Sequence, residues 1–165
     1  GSLKNAEASQ IIDATGLKVS PGFIDVHAHI EEIMGYPAAE NHVRQGVTTV
    51  LGGPDGGGPW PFGKYLDSLQ YHFNLGINVA YLTGHNTIRR KVMGNVNRKP
   101  SESELGQMKD MVREAMEEGA FGISTGLKYL PGTFAETAEV IELSKIAAGM
   151  GGIYTSHLPN LRIII

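Results

Sequence analysis

GFIDVHAHI, residues 22–30, places two histidines one residue apart at the end of a run that reads as a buried strand. Side chains alternate between the faces of a strand, so Phe23, Asp25, His27 and His29 share one face and Ile24, Val26, Ala28 and Ile30 the other. The second set suits a strand packed against helices. The first grows more polar toward its C-terminal end, the pattern of a site rather than a core. Two imidazoles on one strand face can also chelate a single ion.

Four more short apolar runs follow, at residues 47–52, 77–83, 121–127 and 152–158, each flanked by glycine or a polar loop. That is how parallel strands buried on both faces read. Between them lie helical stretches. Residues 101–119 open with Ser101 and Glu104 at capping-box spacing, carry a stripe of Leu105, Met108, Val112, Ala115 and Met116, and stop at Gly119. Thr133 and Glu136 repeat the box before Val140, Ile141, Leu143 and Ala147, with Gly149 near the stop. Shorter helices are expected over residues 40–45 and 64–73. Residues 3–20 read as a strand and turn outside the repeat.

Strand alternating with helix is the rhythm of an α/β fold, either a doubly wound sheet or a (β/α)8 barrel. No G-x-G-x-x-G joins a strand to a helix, so a dinucleotide-binding sheet has no support. A full barrel takes roughly 250 residues, and five strands make a little over half of one. The expected architecture is therefore a partial (β/α)8 TIM-type barrel.

Composition narrows the function. Net charge is −3, and no basic cluster exceeds Arg89-Arg90-Lys91, which argues against nucleic acid and anionic membranes as partners. The absence of cysteine excludes disulfides and thiolate metal sites. No apolar run reaches membrane-spanning length and no signal-peptide pattern opens the chain, so a cytoplasmic location is expected. Gly1-Ser2 reads as an expression-tag remnant and the tail after His157 as an apolar end without a cap, the signs of a fragment.

In a barrel the active-site groups stand at the C-terminal ends of strands. Those positions hold His27 and His29, then Asp55, His85, Lys128 with Tyr129, and His157. Taken singly, His85 and His157 fit hydrogen-bonded core histidines, Lys128 a solvated lysine and Asp55 a turn former. His42 and His72 fall in helical stretches and read as surface residues. The His-x-His pair raises the standing of its neighbours.

The strings IIDATGLKVSPGFIDVHAHIE, RQGVTTVLGGPDG, GINVAYLTGHNTIRRKVMG and GAFGISTGLKYLPGTFAETAEVIELSKIAAGMGGIYTSHL run in order from about residue 10 to residue 158. Together they resemble the D-aminoacylase (N-acyl-D-amino-acid deacylase) branch of the metal-dependent amidohydrolase superfamily. The resemblance implies a (β/α)8 barrel with a small β-sandwich, residues 1–20 belonging to the sandwich segment and the tag, and 21–165 to the N-terminal part of the barrel. It implies one or two divalent ions, zinc first, acting on a small N-acyl amino acid. His27, His29 and His157 match metal ligands. Asp55 stands where the branch has a bridging cysteine, and Lys128 where many amidohydrolases carry a carboxylated lysine. Both remain open as the bridge, with Lys128 placed ahead. Tyr129 and His85 are the expected substrate-binding groups.

The aspartate that takes the proton from water in such enzymes has no counterpart here. No catalytic base is therefore expected within the chain, and the fragment is expected to be inactive and to self-associate through the open barrel edge, exposing inward residues such as Ile123 and Ile153. Alternatives are another amidohydrolase, a cyclic amidase or dipeptidase, and a non-catalytic self-associating half-barrel.

Overall fold

The computed structural model describes residues 7–157. Six parallel strands alternate with five helices: β1 (Phe23–Asp25), α1 (Glu40–Val43), β2 (Val47–Gly52), α2 (Phe62–His72), β3 (Asn78–Tyr81), β4 (Thr83–Gly84), α3 (His85–Met93), α4 (Glu102–Glu117), β5 (Gly122–Gly126), α5 (Thr137–Gly149) and β6 (Ile153–His157). The strands pair in sequence order as β1-β2-β3 and β4-β5-β6. Residues 77–83, read as one strand, are divided at Leu82. Its N–H donates to Gly52 O while Tyr81 O accepts from Phe121 N–H, so the backbone hands the ladder from β2 to β5 there. The expected α/β class and parallel pairing are both present.

Helix α4 shows how local sequence sets an element. Ser101 Oγ accepts from Glu104 N–H at 3.2 Å, and Glu104 Oε2 accepts from Ser101 N–H at 2.8 Å. Met108, Val112 and Ala115 are buried. At the far end Gly119 takes φ +101°, and Gly119 N–H and Ala120 N–H donate back to Met116 O and Ala115 O. A left-handed residue of this kind is what closes a helix with its last carbonyls satisfied.

Other expectations need correction. The strand at 22–30 stops at Asp25, because Asp25 Oδ1 accepts from His27 N–H at 3.0 Å and turns the chain. Ala28 and Ile30 are buried, but Ile24 and Val26 are each 66% exposed, since β1 lies at an edge that no described helix covers. The box at Thr133 and Glu136 does not form. Gly132–Phe134 is a 3-10 turn, and Glu136 instead pairs with Lys99 at 2.8 Å. Ile141 faces outward while Glu139 takes the buried position; α5 ends at Gly149, near the expected stop, with Gly151 at φ +83° two residues beyond. Residues 7–22 contain a turn, with Leu17 N–H donating to Ala14 O, but no strand. Residues 1–6 and 158–165, including the tag remnant and the tail, lie outside the described residues. Helix α3 was not expected at all.

The core has two parts. Val50, Phe62, Leu69, Ile77 and Tyr81 lie between β2, β3 and α2. Ile88, Met108, Val112, Ile123, Leu143 and Ala147 join α3, α4 and α5 to β5. Each large apolar side chain sealed in this way contributes roughly 1.5–3 kcal/mol. Ile123 is therefore a core residue and not an exposed inward one, although Ile153 is 40% exposed. Among the described residues, no helix is long and apolar enough to cross a membrane.

Candidate metal centre

Three histidines from two distant segments converge on one carboxylate. His27 Nε2 lies 3.7 Å from Asp55 Oδ1, while His29 Nε2 and His157 Nδ1 each lie 3.4 Å from Asp55 Oδ2. His27, His29 and Asp55 can each turn one ligand atom to within 4.8 Å of the others. The two histidines of the pair sit edge to face, ring centroids 5.6 Å apart. Their side chains are over half exposed, whereas that of Asp55 is 13% exposed.

Each of these positions has a local cause. His27 and His29 follow β1 in a stretch still tied to the sheet by Ala28 N–H donating to Leu51 O at 3.1 Å. His29 Nδ1 lies 3.2 Å from Glu31 Oε1, and a hydrogen bond there leaves Nε2 as the nitrogen turned toward Asp55. Tyr81 donates its phenol to Ile30 O at 3.2 Å, anchoring the backbone beside His29, and lies 2.7 Å from the Tyr65 hydroxyl. Burial pushes the Tyr81 phenol far above its ordinary pKa, so it remains a donor. His157 ends β6, where the register sets it opposite Gly126 of β5.

Asp55 sits in the loop after β2 with φ +61°, a left-handed conformation that aspartate tolerates better than most residues. Ser124 Oγ accepts from Gly56 N–H at 3.1 Å and donates to Gly53 O at 2.6 Å, so β5 holds the loop from below. Gly126 has to be glycine here. A Cβ there would strike Asp55 O.

The donor set fits a divalent metal. Asp55 Oδ1 is buried and accepts no hydrogen bond among the described residues. A carboxylate with an unmatched buried oxygen, ringed by three imidazoles, is short of a cation. Histidine nitrogen and carboxylate oxygen together suit zinc and its borderline neighbours.

The remaining sequence candidates fall elsewhere. Lys128 is exposed in the turn after β5. Tyr129, in the same turn, lays its ring 5.1 Å from that of His157. His85, read as a strand-end residue facing substrate, is instead the first residue of α3 and is fully buried. Its Nε2 lies 2.8 Å from Glu139 Oε1 and its Nδ1 3.2 Å from Asn86 Oδ1. His72 is exposed and His42 partly so. Sequence reading missed Glu31, Ser124 and Glu139. Only Glu31 carried a signal, a carboxylate two residues beyond a candidate ligand.

Parallel strands whose C-terminal ends bring together a His-x-His pair, a carboxylate and a further histidine belong to a recognisable class. A model of the amidohydrolase family matches residues 10–151, and the chain belongs to that family. Within it, the chain lies in the D-aminoacylase branch. It is 35% identical to a D-aminoacylase of Alcaligenes xylosoxydans xylosoxydans over 182 residues, covering 96% of this chain and 37% of the relative. It superposes with a TM-score of 0.89 on an N-acyl-D-glutamate deacylase from Bordetella bronchiseptica solved with zinc and a phosphonate mimic of the tetrahedral intermediate, at 34% identity over 97% of this chain and 38% of the other. A D-aminoacylase with a binuclear metal centre matches with a TM-score of 0.88, at 32% identity over 97% and 39% of the two chains. The chain thus spans well under half the length of these relatives.

Proposed function

We propose that this chain carries the metal-binding part of an amidohydrolase that cleaves the linear amide of N-acyl-D-amino acids. The convergence of His27, His29 and His157 on Asp55 carries the reading. The relatives named for deacylation of D-amino acids supply the substrate class. Parallel strands in sequence order support a partial (β/α)8 barrel over residues 21–165, with 1–20 assigned to a sandwich segment.

His27, His29, His157 and Asp55 would hold one or two divalent ions, zinc first. A bound cation would polarise an amide carbonyl and acidify water. The chain's own groups would shape the site around it. Glu31 fixes the His29 ring, an outer contact of the kind that orients metal-binding imidazoles. Asp55, already among the imidazoles, would supply the anionic ligand in place of a carboxylated Lys128. Tyr129 lines the substrate side of His157. A cavity of about 540 Å³ opens beside His29, walled by Ile30, Ile33, Tyr36 and Pro37, and suits the apolar portion of a small ligand.

A second reading, a self-associating half-barrel, draws on the exposed Phe23 and Ile24 of one outer strand, Val26 just beyond it, and Ile153 and Tyr154 of the other. Zinc titration and sedimentation separate the two. One tight zinc equivalent, lost in His27→Ala, supports the metal reading; a metal-free stable dimer supports the rival. Within the metal reading, the whole protein of which this sequence is part, assayed against N-acyl-D- and L-amino acids, cyclic amides and dipeptides, separates deacylase from cyclic amidase and dipeptidase.

A further inference from the structure

Asn86, the second residue of α3, touches both the loop that carries Asp55 and the turn that carries Tyr129, whose ring lies against His157. Its Oδ1 accepts from Gly126 N–H at 3.3 Å, and its Nδ2 donates to Gly126 O at 3.0 Å and Tyr129 O at 3.3 Å. Its own N–H donates to Gly56 O at 3.0 Å, joined there by Thr87 N–H at 3.3 Å. Thr87 Oγ1 donates to Gly58 O at 3.1 Å. One buried turn of helix therefore grips the loop carrying Asp55 and the turn carrying Tyr129, which lies against His157. A Cβ on Gly56 or Gly132 would collide with the Asn86 amide, so both glycines make room for it. The amide orientation is fixed as well: reversing it would set oxygen against two carbonyls and nitrogen against an N–H. Behind it, His85 joins Asn86 to Glu139, which Arg89 also pairs.

We propose that Asn86 is a positioning residue that sets the spacing between Asp55 and the Tyr129–His157 pair, and so the geometry of the metal centre; this rests on the metal reading above. Losing an outer contact of this kind typically costs about 10–100-fold in metal affinity.

The test compares the wild-type chain with Asn86→Ala, Asn86→Asp and, as an equally buried control on α4, Met108→Ala. Asn86→Asp keeps the volume but turns the Nδ2 donor into an oxygen facing two carbonyls. Two readouts are taken: zinc affinity with the visible spectrum of the cobalt-loaded chain, and, with no metal added, the NMR cross-peak between the Tyr129 and His157 rings. Both Asn86 variants are expected to lose the cross-peak, bind zinc about 10–100-fold more weakly and shift the cobalt bands. Met108→Ala should melt earlier and keep both. An unchanged cross-peak and unchanged affinity in the Asn86 variants overturns the proposal, as does the same loss in Met108→Ala. If the wild-type chain binds no metal, the metal reading fails, and the cross-peak alone decides whether Asn86 positions the two loops.

Discussion

Asp55 Oδ2 lies 3.4 Å from His157 Nδ1, although one side chain comes from the loop after β2 and the other from the end of β6. That contact closes the site, because it brings the group at the end of β6 to the His-x-His pair that follows β1. Replacing the carboxylate should open it. Asp55→Ala is expected to weaken zinc binding by more than the roughly 10–100-fold typical of outer-contact losses, measured by competition with a chromophoric chelator. Asp55→Asn should behave similarly, since the amide keeps the shape but not the charge. Affinity within twofold of wild type in both would remove Asp55 from the site.

Lys128 gives the complementary expectation. It is exposed in its turn, while Asp55 already supplies an anionic oxygen among the imidazoles. Lys128→Ala should leave zinc affinity unchanged within about twofold, with or without bicarbonate, against the roughly tenfold or larger effects that mark a ligand contact. A bicarbonate-dependent gain in wild type that disappears in Lys128→Ala would restore the carboxylated lysine.

The buried Glu139 sets an acid limit on stability. Desolvation raises its pKa, but hydrogen bonds from His85 and Arg89 outweigh that and hold the carboxyl below its ordinary 4.5. A carboxyl depressed by folding contributes stability that is fully present above its unfolded value and is lost as pH falls through the folded one. The melting temperature should therefore hold near neutrality and fall below about pH 4.5. Glu139→Ala strands the fully buried Arg89, whose Nε already lacks a described partner, and should cost about 3–5 kcal/mol in urea unfolding. A loss under 1 kcal/mol would show that the pair is replaceable.

Helix α4 offers a simpler measurement. Ser101→Ala removes the side-chain half of a formed capping box and should cost about 1 kcal/mol, with Glu104 still free to bond Ser101 N–H. An unchanged unfolding midpoint would mean that the Arg98–Glu104 pair holds that end alone.

What the sequence disclosed follows the range of the forces involved. Short-range signals were legible. The Ser101–Glu104 box, Gly119 and the apolar runs act through neighbours a few residues away, and they gave α4 and most strands correctly. The His-x-His pair with Asp55 and His157 could be assembled from strand ends because parallel strands in sequence order bring those ends together. Long-range electrostatics were not legible. Glu139 and Arg89 are charged residues in a core, acceptable only because each neutralises the other, with His85 bonded to the same carboxylate, and their separation in the chain hides the pairing. The same concealment cost α3: His85 opening a polar stretch looked like a strand end, when its partners lay on α5. Lys99 took Glu136 from its expected box for a similar reason.

The last prediction concerns turnover by these 165 residues alone. Amide hydrolysis needs a group to accept the proton from water and one to deliver a proton to the leaving amine. Among the described residues, His27, His29, His157 and Asp55 are committed to the metal in the reading above, and Glu31 holds the His29 ring. His85 was the one other histidine at a strand end. It is sealed in the core with Glu139 and Asn86 at its two nitrogens, so it has no access to water at the site. Positioned acid–base groups contribute roughly 10²–10⁴-fold, and a chain that lacks them should hydrolyse slowly even when loaded with metal. The purified chain, zinc-loaded and supplied with bicarbonate, is therefore expected to show no turnover above a His27→Ala control across a panel of N-acyl-D-amino acids. Rates near those of ordinary enzymes, about 1–10³ per second, abolished by His27→Ala, would place a working base within these residues. Glu31→Gln would then be the first variant to make, because Glu31 is the exposed carboxylate beside a proposed ligand.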